Sequence, residues 1–436
     1  MNSLRNRLTS LLALLSLSPM AQGQVEFERP PIDYHNRETS NPIEDIRAKV
    51  SSGEVKLRFD ETHGYLVHLL ELLGIDTSSQ VLVFSKTSLQ LKRINPERPR
   101  AIYFDDDNYI GYCQFGDVVE IATTDPKLGA MFYTLAQEPV EKPDIIRDRG
   151  ECMLCHGSNR TKGVPGHLIR SVYSNKYGQP EFGRGTYTTD HSTPFDQRFG
   201  GWYVSGTHGK MRHMGNVSLE SPKSLDLDRE AGANVTDLSM LVDVAPYLEP
   251  TSDIVALMAL QHQSQMHNYL TLANLETLSA LHYNDVMAKA FDREDGYLSG
   301  STKRRIRSVA EKLVKYMLFS EEFALEAPVA GTSDFAKNFS ARGPKDASGR
   351  SLFQLDLETR FLKYPCSWLV YTDSFDSLPE ITYDAVATEL YFALRGQDER
   401  GDFVHLSSRQ KQDIYEILYS TKPGLAKIWE GLGTDG

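Results

Sequence analysis

The sequence predicts an α+β protein: an antiparallel β meander comes first, a short cysteine-containing segment follows it, and the C-terminal half is mainly helical. Three observations lead there. From residue 81 to 135 the hydrophobic pattern has a period of two and is broken by turn chemistry such as Asp105-Asp106-Asp107-Asn108 and Asp125-Pro126-Lys127. From residue 254 onward apolar residues recur at helical spacing in stretches too long for strands. Between the two regions, Cys-Met-Leu-Cys-His at 152–156 is the one place where two of the 4 cysteines stand close together.

Taken in order, residues 1–23 read as a cleavable signal peptide. Arg5 and Arg7 give its positive start, Leu8 to Leu17 its apolar stretch, and Ala21-Gln22-Gly23 the small residues at which a signal peptidase cuts. The apolar run is too short for a hydrocarbon layer of about 30 Å, and no later run is long enough. The first cysteine is Cys113, which leaves no lipoprotein cysteine near the cut. The expected product is periplasmic or secreted, cleaved near Gly23, with no membrane span.

Residues 24–149 form an N-terminal α+β region. Its polar lead-in contains Arg29-Pro30-Pro31, and helices are expected at Ile43 to Val50 and at about Gly64 to Leu73, where Leu66, Leu69, Leu70 and Leu73 recur at i, i+3, i+4, i+7. Strands are expected at Val81 to Phe84, Ala101 to Phe104, Tyr109 to Cys113, Val118 to Ala122 and Met131 to Leu135. The acidic run 105–107 reads as a solvated hairpin tip. Residues 150–235 hold the cysteine motif, with strand-like pieces at Leu168 to Tyr173 and Gly201 to Ser205. Residues 236–326 read as helical, with stretches at Ile254 to Met287 and Lys303 to Phe323. The Gly/Pro/Ser-rich stretch 327–349 reads as a linker or long loop, and 350–436 as a C-terminal helical region with helices at Leu355 to Tyr364, Tyr383 to Leu394 and Ser407 to Leu418.

Two thiols three positions apart can add to the two vinyl groups on one edge of a porphyrin, and the next residue, His156, can set its imidazole under the iron. With 4 Cys and 12 His in 436 residues, the pattern is expected by chance only about once in a thousand such chains. A four-thiolate zinc site needs a second close pair, yet Cys113 and Cys366 stand alone. A thioredoxin-like pair needs a strand-and-helix entry that the residues before Cys152 do not suggest. The motif is therefore read as covalent attachment of one haem c through Cys152 and Cys155, with His156 as an iron ligand. Haem c is attached outside the bacterial cytoplasm, so the export signal agrees.

For the second axial ligand, Met214 ranks first, 58 positions beyond His156 in the loop Gly206 to Gly215; His208 and His213 follow, with His262 and His267 as further candidates. The last two are five apart, about 140° around a helix, so they cannot serve one metal together. A methionine would give a six-coordinate, relatively high-potential centre, and an open position would permit substrate chemistry. For that case Arg212-His213, Asp190-His191 and Arg170 supply acid, base and cation.

The formal charge of −12, or −14 once Arg5 and Arg7 are removed, argues against nucleic acid or anionic membrane as a partner. An acidic surface keeps the chain in solution and would suit a basic redox partner protein. A simple electron carrier fits in about a hundred residues, so most of this chain must do something else. Cys113 and Cys366 are either a disulfide or two buried thiols.

Residues 152–156 resemble the c-type cytochromes. A longer pattern is similar to a group of exported bacterial proteins, many planctomycete-like, known only as cytochrome c domain-containing: Arg100-Ala101-Ile102-Tyr103-Phe104, Gly200-Gly201-Trp202-Tyr203 with Gly206-Thr207-His208-Gly209, and Lys363-Tyr364-Pro365-Cys366. The resemblance implies haem carriage, export, and roles for Cys152, Cys155 and His156. The β-rich segment before the motif departs from the compact helical cytochromes. The resulting expectation is an exported monohaem c-type cytochrome for electron transfer, the alternatives being a peroxidase- or oxygenase-like haem enzyme with an open distal site and a haem-based redox or gas sensor.

Overall fold

The computed structural model describes residues 26–434 apart from 222, 223 and 225, so the expected signal peptide lies outside the described residues. Helix α1 (Pro42–Ser52) starts where the Asn41 side chain accepts the amides of Ile43 and Glu44, and stops at Gly53, whose φ of 79° closes the last turn. Helix α2 (Leu66–Leu73) buries Leu66, Leu69 and Leu70 of the stripe its spacing predicted, while Leu73, its fourth member, is half-buried against the same core. Six strands follow: β1 (Val81–Val83), β2 (Arg100–Phe104), β3 (Asn108–Tyr112), β4 (Val118–Asp125), β5 (Gly129–Ala136) and β6 (Ile145–Arg147). They pair antiparallel in chain order, as the meander predicted.

Period-two alternation gives the sheet two faces. Tyr103, Ile110, Ile121 and Tyr133 stand in register on one face and pack in a core shared with α1 and α2. Val81, Val83, Ile102, Phe104 and Tyr109 on the other face share a core with helix α4 (Ile254–Ala290). Strand β6 is not among the expected strands; a three-residue edge strand with one buried side chain, Ile145, has no period to read. Gly201 to Ser205 forms no strand of its own but lines the free edge of β1, where Phe84 N donates to Gly201 O and Tyr203 N to Leu82 O, both at 2.9 Å. A two-stranded ribbon, β7 (Arg170–Val172) and β8 (Thr186–Thr188), lies beyond the cysteine motif.

The C-terminal half is mainly helical, so the molecule is α+β. Helix α4 runs 37 residues, about 55 Å, from the Asp253 cap. It packs against α5 (Gly300–Met317), α6 (Phe335–Ala341), α7 (Asp373–Asp376) and α8 (Glu380–Leu394), while α9 (Ser408–Thr421) and α10 (Pro423–Thr434) pack on α8 and on each other; α3 is the single turn of the cysteine motif. No helix among the described residues is long and apolar enough to cross a membrane.

Three local expectations fail. The stretch 327–349 holds α6, whose Phe335 and Phe339 are buried against Phe104 and Trp368. Leu355 to Tyr364 is not helical, because the Asp356 carboxylate takes the amides of Glu358 and Thr359 and turns the chain back so that Leu355 bridges Leu362. The tip 105–107 is not solvated either: Asp106 accepts Trp368 Nε1 at 2.9 Å and pairs with Arg342 of the helical half. The largest core cluster runs from Val81 of the sheet to Trp429 of α10, so sheet and helices bury one another.

Candidate haem site

The motif forms one helical turn, α3 (Met153–His156). Its entry is fixed by Asp148, whose Oδ2 accepts the amides of Gly150 at 3.0 Å and Cys152 at 3.1 Å. Met153 turns inward onto the cluster of Phe27, Leu128, Val164 and Leu275, while Leu154 is 83% exposed. Cys152, Cys155 and His156 stand at i, i+3, i+4, which puts them on one side of the turn. Cys155 is exposed and Cys152 is half-buried.

His156 is held at both ends of its residue. Its Nδ1 lies 2.9 Å from Gly166 O, and Gly166 N donates to His156 O at 2.9 Å. Thr161 Oγ1 also donates to His156 O, at 3.1 Å, and the Phe132 ring of β5 packs 4.5 Å from the imidazole. With a carbonyl as its partner, Nδ1 carries the proton, which leaves the lone pair on Nε2. That nitrogen has no hydrogen-bond partner among the described residues. Burial holds the imidazole below its usual pKa, in the neutral form an iron ligand requires.

The loop that supplies Gly166 is pinned by α4. Asn268 accepts His167 N and donates to His167 O, each at 2.8 Å. Gly166 lies so close beneath this amide that a Cβ there would strike Asn268 Oδ1 and come within 2.8 Å of Thr161 Cβ.

Burial and the neighbouring Asp148 carboxylate push the Cys152 thiol up to about 12, opposite to the depressed value of a redox-active dithiol. Among the described residues no three His, Cys, Asp or Glu side chains converge as a metal site, so zinc has no ligand set here. Two thiols and one neutral imidazole on one turn do suit a haem c. Arg100 of β2 and Glu120 of β4 form an ion pair whose charges bear on His156, and the buried Arg100 Nε has no partner. The Arg170 guanidinium of β7 donates to Thr186 Oγ1 through Nε at 3.2 Å and Nη2 at 2.8 Å and lies 4.9 Å from the Phe182 ring.

The other candidates are dispersed. Met214 is fully buried with Leu219 and Leu227, and its sulfur accepts Ser171 Oγ at 3.7 Å. Both ring nitrogens of His208 are engaged, by Met211 O and Asn234 N, and both of His262, by His191 and Ser367. His213 Nδ1 accepts Gly215 N, so its proton sits on the buried, unpartnered Nε2. His267 Nε2 donates to Asp106 O at 2.6 Å and leaves Nδ1 buried with its lone pair free. Arg212 pairs with Glu230 while its neighbour His213 is buried, so the two do not form one acid–base site. Asp190 accepts Ser192 N and Oγ, and the ring of its neighbour His191 is stacked between Tyr316 and Phe319, so this pair is divided as well. Cys113 and Cys366 are buried free thiols.

Asp148, Gly166 and Asn268 were not singled out as site residues from sequence. Gly166 is visible there as one of the glycines after the motif, whereas Asn268 has no signal, because its contact spans 101 positions. No family model, no curated protein and no solved structure matches the chain.

Proposed function

We propose that this chain is an exported monohaem c-type cytochrome that binds one haem c covalently and transfers electrons to or from a redox partner protein. The observation behind this reading is the state of His156: Nδ1 tethered to a carbonyl, Nε2 free, on the same turn as the two thiols. Cys152 and Cys155 would form the thioethers and His156 Nε2 would ligate iron. Bound haem c supplies a one-electron couple at the iron.

The residues of the chain do the rest. Gly166 O fixes the ring plane of His156 and strengthens it as a donor, as outer partners of ligating histidines do. Asn268 acts through that loop as a positioning residue. Asp148 fixes the start of the turn, and the spare donor of Arg100 can meet a carboxylate. The exported location and cleavage near Gly23 belong to the same proposal.

Maturation with a bacterial haem c attachment system provides the test. Intact mass should show one covalent tetrapyrrole, lost stepwise in Cys152→Ala and Cys155→Ala, and the reduced spectrum should be low-spin with a thioether-shifted α band. A matured, exported chain with two free thiols and no added mass overturns the proposal. A covalent haem that is high-spin and binds cyanide would instead favour the open-site enzyme or sensor.

A further inference from the structure

Helices α5 and α8 run side by side in the same direction against α4. Arg305 of α5 pairs with Glu276 of α4, and Thr382 of α8 bonds the next residue, Thr277, at 2.6 Å. About two turns further along both helices, Arg400 holds Glu311 and Glu389 together. Between the two helices lies an open groove of about 510 Å³. Ile306 and Ala310 of α5 line it with Ile381, Ala385, Thr388 and Phe392 of α8, three or four positions apart on each helix. That is the spacing with which a helix meets a packed neighbour, and the small side chains of Ala310, Ala385 and Thr388 leave room for close approach. Phe392 is 40% exposed, and no residue of the cysteine turn lines the groove.

The charges of the rim are sorted by wall. The α5 wall presents Lys303 and Arg307, and the α8 wall presents Asp384 and Glu389. Arg307 is met by Glu311 of its own helix and Glu389 by Arg400. Lys303 and Asp384 are exposed and in no ion pair with a described residue. A groove with one basic and one acidic wall is complementary to itself. A two-fold axis along it sets the α5 wall of each copy on the α8 wall of the other, which brings Asp384 within a helical turn of Lys303 twice over. A foreign helix of either charge would meet one wall of its own sign.

We infer that the chain forms a two-fold dimer through the α5–α8 groove, with a second copy of itself as the occupant. The inference is independent of the haem reading, because none of its residues belongs to that site.

Sedimentation velocity on the full mature chain, over about 1 to 100 μM, should show a monomer–dimer equilibrium. Lys303→Glu sets a like charge against Asp384, and Asp384→Lys sets one against Lys303. Each contact occurs twice in the dimer, so either variant alone should raise the dimer dissociation constant at least about ten-fold. An equimolar mixture of the two variants has opposite charges at both contacts, and it should dimerise within about three-fold of the wild type. Recovery in the mixture also shows that neither chain is misfolded. A wild type that stays monomeric at about 100 μM, a dimer indifferent to both substitutions, or a mixture no tighter than its components overturns the inference.

Discussion

At the scale of single residues, the site depends on how tightly the backbone passes under His156. Gly166 offers its carbonyl to Nδ1 and its amide to His156 O, and it does so where a Cβ would meet Asn268 and Thr161. Gly166→Ala is therefore expected to destabilise the fold by about 1–3 kcal/mol through overpacking, measured by urea denaturation. Wild-type stability in that variant would mean the loop has room it does not show. The residues of the cysteine motif are legible in sequence because their spacing is local: one turn of chain sets two sulfurs and an imidazole on one side. The groups that hold them are not legible. Asp148 looks like one charge in a charged segment, and Arg100 like any strand-edge cation, until the structure places both beside the turn.

Among elements, α4 does the most to connect the halves. Asn268 makes both of its bonds to the backbone of His167, so Asn268→Leu strands a buried donor and a buried acceptor; a loss of roughly 2–5 kcal/mol is expected. Hydrogen exchange at His167 N should rise by more than exchange in α9 does, whereas a uniform rise would point to general destabilisation. The hairpin tip of β2 and β3 is the second connection. Trp368→Phe removes the Nε1 bond to Asp106 and is expected to cost about 1–3 kcal/mol, with the Arg342 pair left to hold the carboxylate. An unchanged denaturation midpoint would show that the tip is held elsewhere.

Legibility at this scale followed length and regularity. The central strands and α4, α8 and α9 repeat their apolar pattern often enough to be seen. Strands β6 and β8 have three residues each and no period. Leu355 to Tyr364 has helical spacing, but one aspartate side chain competes for its amides and wins.

For the whole molecule, buried titratable groups set how stability responds to pH. His191 and His267 are lowered by burial to about 4, so the unfolded chain takes up protons that the native one refuses, and stability is lost as pH falls from about 6.5 towards 4. Burial acts in the opposite sense on carboxyls. Glu322 is raised to about 7 and Asp107 to about 8, so the native state holds protons the unfolded chain releases, and these two lose stability as pH rises towards 8. Melting temperature should fall above about pH 6.5, and His267→Gln should weaken its fall on the acid side. A profile that keeps rising from pH 6.5 to 8 would contradict the carboxyl assignments. The α+β class was legible at this scale because each half has its own hydrophobic period. That the two halves share one core was not, since pattern reports which face is apolar and never what covers it.

The packing behind the motif has a consequence for synthesis. Met153 rests on Phe27, Val164 and Leu275, so the wall behind Cys152 draws on both the earliest described residues and the middle of α4. A chain that emerges amino end first cannot complete that wall until residue 275 has followed. For the whole interval between, both sulfurs remain on an unfinished surface, open to solvent and to whatever modifies thiols before the fold closes.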